Sequence, residues 1–398
     1  MTAVADLTLK PGRDKPVRHR HPWIFSGAIA GLRGQAEPGD MVQVRAANGE
    51  PLAVGYYNPH SQIVVRLLAW DPAATIDDAW WGRMIAESVA RRSALARSDD
   101  TNAYRLVYAE ADGLPGLIVD RYDDILVCQF LTAGIERARP VIVEALAALL
   151  RPRAILDQSD NEIRQVEGLP PASGALRGEA PSESIAIREN GFSYRVDFRS
   201  GQKTGFYLDQ RTNRARVARH ASGRAILDCF CYTGGFTVPA LAAGAAAATC
   251  VDSSAPALQM LTANVSALGE KAHSVETICG NVFEVLRKFR DQARQFDLIV
   301  LDPPKLAAAQ TQVTKALRAY KDLNLLALKL LTPGGILASF SCSGTVTRAA
   351  FQEAVAWAST DAGRSVRILE QLGQGEDHPL LISFPESEYL KGLIARVD

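Results

Sequence analysis

The chain has 398 residues, of which 47% are apolar and 22% charged, with equal numbers of acidic and basic side chains. This length predicts two or three soluble domains rather than one simple core, and zero net charge excludes a global basic field for nucleic acid. Six cysteines without disulfide or metal-ligand spacing predict a reducing, cytoplasmic setting with no metal, and no apolar run reads as a signal peptide or a membrane span.

From Met1 to Arg33 the charge is local: Lys10, Arg13, Lys15, Arg18, Arg20 and Arg33 stand against Asp6 and Asp14, with His19 and His21 beside them. Such an arm can grip phosphates, and Trp23 and Phe25 could stack on bases or equally pack a core. Apolar patches at Trp23 to Ile29, Met41 to Val44, Leu52 to Tyr57 and Ile63 to Leu68 alternate with turns, Asn48-Gly49 among them, and predict a small β domain ending near Asp71-Pro72. A mixed region follows. Helical periodicity covers Ile76 to Ala96 and Ile135 to Leu150. Strand patterns lie at Arg105 to Tyr108, Leu117 to Arg121, Ile125 to Phe130 and Ala154 to Asp157. Gly168 to Ser182, rich in Pro, Gly and Ser, predicts a mobile loop, and Asn190-Gly191 predicts a hairpin.

From about Gly201 the pattern becomes strand, helix, strand, helix. Ala225 to Leu227 ends in Asp228, Thr249 to Val251 in Asp252, Phe296 to Leu301 in Asp302, and Ile336 to Ser341 in Cys342. The apolar run from Phe236 to Val251, interrupted by Pro239, reads as a helix that ends at Gly244 and leads into the second of these strands. Val313, Leu317, Tyr320, Leu323, Ala327 and Leu330 recur at helical spacing. This alternation predicts a doubly wound, largely parallel α/β sheet, whose ligands bind beyond the carboxyl ends of its strands. Three aspartates and one cysteine occupy those ends.

"DCFCYTGGF", Asp228 to Phe236, follows the first strand. Thr233, Gly234 and Gly235 would let a ligand approach the backbone closely, and Phe230 and Tyr232 line the same turn. The turn is neither Gly-x-Gly-x-x-Gly nor a P-loop. Asp252, with Ser253 beside it, ends the next strand, where a carboxylate would take ribose hydroxyls. Asn281 could bond an adenine edge, with Val282 and Phe283 packing on the ring. Each residue alone also reads as a turn or a helix cap. In this order at successive strand ends they predict S-adenosylmethionine as cofactor.

"LDPPK", Leu301 to Lys305, makes a stiff strand-end loop. Amino methyltransferases place an aromatic residue after such prolines, and Lys305 stands there instead. Methylation of cytosine C5 needs a thiolate adding to C6 to make C5 nucleophilic. Cys342, among small polar neighbours in "SFSCSGT", suits that role, whereas Cys128, Cys229, Cys231, Cys250 and Cys279 read as structural.

These motifs together resemble the bacterial ribosomal RNA large subunit methyltransferase I family, over nearly the whole chain. "RHRHPWIFSGAI" is similar to the start of its PUA RNA-binding domain and "EADGLPGLIVDRY" to its central domain. "GQKTGFYLDQR" (Gly201 to Arg211) is the most specific stretch, with "CFCYTGGF", "DPPK", "YKDLNLLAL", "FSCSG", "DHP" and "YLKG". The resemblance implies a PUA-like domain over 1–72, a central α+β domain over 73–190 and a class I, Rossmann-like methyltransferase domain over 191–398. It implies S-adenosylmethionine-dependent formation of 5-methylcytosine in 23S rRNA, with Cys342 as nucleophile and Phe206, Tyr207, Asp209 and Gln210 closing the cofactor site. Asp302 is the candidate for contacting N3 or N4 of the base, Arg18, Arg20, Trp23 and Lys305 for contacting RNA, and a homodimer is compatible with the family. Two other readings stay open: a uracil C5 or amino target, and an RNA-binding ribosome-assembly factor with vestigial methylation.

Overall fold

The computed structural model describes residues 3–159, 162–198 and 205–398. Gly201 to Thr204 of the "GQKTGFYLDQR" stretch therefore lie outside the described residues. The chain divides into two compact units, Met1–Arg188 with Val196–Leu208 and Glu376–Ser387, and Glu189–Arg195 with Asp209–Gly375 and Glu388–Asp398.

The first unit holds two sheets. Six strands are ordered Trp23–Phe25, Ile63–Ala69, Pro51–Tyr57, Met41–Arg45, Ala5–Leu9, Ile29–Gly34. The expected strand from Trp23 to Ile29 is broken by a 3-10 turn at Ser26–Ala28, and strand Ala5–Leu9, whose alternate residues are buried, was not foreseen. At Asn48-Gly49 the chain turns as expected. Gly49 has φ +88°, its N–H donates to Ala46 O, and Met41–Arg45 pairs antiparallel with Pro51–Tyr57. The second sheet is ordered Ser173–Arg177, Ala154–Gln158, Ile125–Phe130, Leu117–Tyr122, Ala103–Tyr108. Helices Asp78–Arg91 and Ala133–Leu150 pack with it. One core joins the sheets, running from Met41, Val54 and Tyr56 through Trp80 and Trp81 to Phe130 and Ile142.

Strand Ser173–Arg177 corrects the expected mobile loop at Gly168 to Ser182. It pairs antiparallel with Ala154–Gln158 although it is largely exposed. An edge strand draws its stability from the backbone ladder, which composition does not report. The segment leading into it is tied down by buried Arg164, whose Nε donates to Pro170 O at 2.7 Å. Residues 376–387 also belong to this unit. Buried Asp377 accepts Arg105 N–H at 2.9 Å, and Arg92 donates to Asp377 O at 2.8 Å.

The second unit is the expected doubly wound domain. Its seven-stranded sheet is ordered Val275–Cys279, Ala247–Asp252, Ala225–Cys229, Phe296–Leu301, Leu331–Ser341, Lys391–Val397, Val366–Gly373. The first five strands are parallel, Lys391–Val397 runs antiparallel to its neighbours on both sides, and the edge strand Val366–Gly373 therefore points the same way as the first five. Adjacent residues alternate between two cores. Leu227, Ile299 and Leu337 join one with helices Val282–Asp291 and Val313–Leu330, while Ile226, Leu298 and Ile336 join the other with Val217 and Phe236. Helix Val313–Leu330 has the bounds its spacing predicted. Asn190 and Gly191 both have positive φ, +51° and +80°, as a two-residue hairpin turn requires.

Gly392 shows how tightly the antiparallel strand is seated. A Cβ there would lie 2.4 Å from Phe340 Cδ1, on a ring with no exposure. Gly392→Ala should therefore cost about 1–3 kcal/mol, as overpacking does, read from the urea midpoint. An unchanged midpoint would mean the two strands are not packed as described.

Candidate active site

Strand Ala225–Cys229 ends in a turn under strain. Phe230 and Tyr232 hold φ at +62° and +48°, and Gly234 at +86°. For a non-glycine residue this region costs about 1–2 kcal/mol, so the turn persists only because its surroundings fix it. Phe230 and Cys231 N–H both donate to Val251 O, at 2.9 and 3.2 Å, and Tyr232 N–H donates to Asp252 Oδ2 at 2.9 Å. Asn264 holds Thr233 O at 2.9 Å. A Cβ on Gly234 would meet Leu261 Cγ at 2.9 Å, so this position needs glycine for space as well as for φ.

Asp228, fully buried, accepts from Thr237 Oγ1 at 2.6 Å through Oδ2. Its Oδ1 and the buried Thr233 Oγ1 have no hydrogen-bond partner among the described residues. Burial, with the nearby negative charge of Asp252, pushes the Asp228 carboxyl up to about 7 against the restraint of Thr237 and Arg214. Asp252 itself accepts Tyr232 and Ser254 N–H, each at 2.9 Å, so it serves the turn and still offers a lone pair on each oxygen. Ser253 is exposed. Asn281 is also exposed and caps helix Val282–Asp291 through Oδ1, which leaves its amide nitrogen as donor. Val282 points into the core cluster, and Phe283 is half-buried against it.

The next two strand ends supply Asp302 and Cys342. Asp302 Oδ1 accepts from Gln210 Nε2 at 2.9 Å, and Asn213 fixes that amide by donating to Gln210 Oε1 at 2.6 Å. Burial pushes Asp302 up to about 7, with the Asp209 charge adding to the shift and the Gln210 bond opposing it. Asp209 takes the Tyr389 hydroxyl on Oδ2, while its buried Oδ1 has no partner among the described residues. Cys342 is half-buried, and its Sγ donates to Pro303 O at 3.7 Å. Lys305 is exposed on the loop that follows Asp302.

Cys229, Cys231 and Cys250 are buried, and burial raises the Cys229 thiol well above its usual range. Cys231 is raised by its contact with Cys250 and by burial. Cys279, expected to be structural, is exposed because its strand lies at the sheet edge. Four site residues were not singled out from the sequence: Thr237, Asn213, Tyr320 and Lys391. Thr237 was the most accessible of these, a hydroxyl in the first turn of the helix after the glycine turn.

The remaining candidates lie in the first unit. Phe206 is buried, its backbone bracketed by the Tyr122 hydroxyl at 3.2 Å on both N–H and C=O, and Tyr207 is half-buried. Arg18 pairs with Asp14 at 2.7 Å and Glu50 at 2.6 Å. The Arg20 guanidinium lies 5.6 Å from the centroid of the Trp70 ring. Half-buried Trp23 donates to Glu110 at 2.8 Å and meets Phe384 edge-on at 4.6 Å. Among the described residues no acidic, His or Cys cluster could hold a metal ion, and no helix is long and apolar enough to cross a membrane.

The Asp228 shift has a sign that can be tested. The carboxyl ionises near 3.8 when unperturbed and near 7 when buried, so the ligand-free fold binds its proton more tightly than the unfolded chain. The resulting stabilisation is full below about pH 4 and is lost as pH rises to about 7. Asp228→Asn removes the titration. The variant should exceed wild type in urea stability by roughly 1–4 kcal/mol at pH 8, with the difference vanishing near pH 4. A variant no more stable than wild type at pH 8 would contradict this electrostatic account.

A profile of PUA-like domains matches residues 7–70, and one of S-adenosylmethionine-dependent methyltransferases matches residues 153–381. The ribosomal RNA large subunit methyltransferase I of Shewanella denitrificans is 47% identical over 98% of this chain and 99% of its own. That of Cronobacter sakazakii is 45% identical with the same coverage. A candidate SAM-dependent methyltransferase from Streptococcus mutans shares the fold, with a TM-score of 0.85, 22% identity, and coverage of 98% and 99% of the two chains. The site fits this cofactor. Asp228 Oδ1 and Thr233 Oγ1 are buried polar atoms awaiting partners, and Gly234 leaves the turn without a side chain. Burial, strand-end chemistry and likeness converge: the cofactor is S-adenosylmethionine, and the chain belongs to the ribosomal RNA large subunit methyltransferase I family.

Proposed function

We propose that the protein forms 5-methylcytosine in 23S rRNA through a covalent bond between Cys342 Sγ and C6 of the target base. One observation carries this reading: among the cysteines of the second unit, Cys342 alone is half-buried just past a strand end, with its sulfur 3.7 Å from the O of Pro303, the residue after Asp302. Cys229, Cys231 and Cys250 are buried, and Cys279 belongs to the edge strand. The large-subunit rRNA named for the relatives supplies the substrate class, and the PUA-like match suits an RNA partner.

When bound, S-adenosylmethionine supplies an electrophilic methyl group. Asp228, Thr233 and the Phe230–Gly234 turn would hold its amino-acid end, and Asp252 and Asn281 its nucleoside. Cys342 Sγ would add to C6 of a base taken out of its stack, placing electron density at C5. Asp302, which burial raises to about 7 so that a large fraction is protonated at neutrality, could donate to N3, and Gln210 orients it. Once C5 has taken the methyl group, loss of its proton to a base would restore the C5–C6 double bond and expel the thiolate. Residues 1–72 are assigned to RNA contact through Arg18, Arg20 and Trp23, and residues 191–398 to the reaction, with Lys305 as a further candidate for contacting RNA. A cytoplasmic setting suits the ribosomal substrate and six cysteines that form no disulfide among the described residues, and a homodimer is an expectation from the family.

The test is nucleoside mass spectrometry of 23S rRNA incubated with labelled S-adenosylmethionine. Wild type and Cys279→Ser should both yield labelled 5-methylcytidine, and Cys342→Ala should lose at least about a thousandfold in rate, as removal of a catalytic nucleophile does. Label in an amino-methylated nucleoside, or an active Cys342→Ala, would overturn the reading.

A further inference from the structure

The residues on either side of Cys342 are held from two directions. On one side stands buried Tyr320 of helix Val313–Leu330. Its hydroxyl accepts from Ser341 Oγ at 2.9 Å and lies 3.2 Å from Ser343 Oγ, which in turn accepts Ala307 N–H at 3.1 Å. On the other side Lys391 opens strand Lys391–Val397, in register with Ser341. Its Nζ donates to Ser343 O at 2.7 Å, and the residue is only 2% exposed.

A buried ammonium is costly, and a lone carbonyl offsets only part of that cost. Among the described residues no carboxylate lies within ion-pair distance of Nζ. The nearest acidic residue in sequence, Glu388, pairs with Arg348 at 2.7 Å. The lysine instead grips the carbonyl of the residue that follows Cys342, so its ammonium sits one residue along the chain from the thiol. We propose that Lys391 is a positioning residue for Cys342: its ammonium fixes the Ser343 carbonyl and stabilises the Cys342 thiolate. This inference rests on the reading of Cys342 as nucleophile.

The other titratable groups facing the thiol do not supply that charge. Burial raises the Tyr320 phenol, which stays neutral, and burial raises Asp302 to about 7, so that it is half ionised at pH 7 and never positive. Burial lowers Lys391 to about 8, while Glu388 and the Cys342 anion act to raise it and Arg348 to lower it further. At pH 7 the ammonium is therefore still present. A thiolate next to a cation is the arrangement that activates cysteine nucleophiles elsewhere.

The experiment follows the pH dependence of Cys342 alkylation by iodoacetamide, resolved by peptide mass spectrometry, in wild type and Lys391→Met. Exposed Cys279 serves as the internal labelling reference. In wild type the Cys342 midpoint should fall below the ordinary thiol value of about 8.5. In Lys391→Met it should rise by about one unit, so labelling at pH 7 slows about tenfold while the rates converge near pH 10. A merely structural lysine would change the rate by the same factor at every pH. An unshifted midpoint overturns the proposal. So does a wild-type midpoint at or above about 8.5, a measurement that needs no variant to fold. Methyl transfer by Cys342→Ala, run in parallel, separates the two readings. Retained transfer removes the nucleophile itself, whereas an unshifted midpoint with Cys342 still required removes only Lys391.

Discussion

Strand Leu331–Ser341 is paired along both edges, and the arrangement of the site depends on that double pairing. Its parallel partner, Phe296–Leu301, leaves the sheet at the same edge, so Asp302 and Cys342 both emerge there, with Cys342 Sγ 3.7 Å from Pro303 O. Its antiparallel partner, Lys391–Val397, enters where the other two leave, so the first residue of that strand arrives at the same edge. An all-parallel sheet would have carried Lys391 to the opposite end. Parallel pairing repeated across the sheet places Asp228 and Asp252 on that edge as well.

Gathering carboxylates at one edge has an electrostatic consequence. Asp228 and Asp302 are both driven toward protonation by burial, and each feels another carboxylate. Hydroxyl and amide donors, Thr237 and Gln210, restrain the shift without neutralising the charge. Added to this is a turn in which Phe230 and Tyr232 occupy a disfavoured backbone region. Two hydrophobic cores, one on each face of the sheet, hold this strained and charged edge in place. A cationic ligand group at Asp228 would relieve part of the cost, which couples cofactor binding to stability.

Much of this edge was legible in the sequence because strand ends announce themselves. An apolar run that stops at Asp228, Asp252, Asp302 or Cys342 carries its own boundary, and the helical spacing of Val313 to Leu330 carries another. What stayed hidden depends on contacts distant in sequence. Lys391, within the "YLKG" stretch, shows no link to Cys342 until its strand is paired with the one that ends at Ser341. Trp23 reads equally as a base-stacking ring or a core aromatic until Glu110 and Phe384 are brought to it. Edge strand Ser173–Arg177 reads as a loop because its ladder leaves no mark on composition. Residues 376–387 belong to the first unit through hydrogen bonds to Arg92 and Arg105, some 270 to 285 positions earlier.

The central claim is that Cys342 bonds to C6 of cytosine during turnover. The most direct measurement uses a 23S transcript made with 5-fluorocytidine in place of cytidine. Fluorine at C5 leaves no proton to remove after methylation, so the thiolate cannot be expelled and the bond persists. The account predicts a protein–RNA species that survives denaturation, requires S-adenosylmethionine, and maps by peptide mass spectrometry to Cys342. A crosslink on another residue would contradict it, as would methylation of the fluorinated RNA with no crosslink at all.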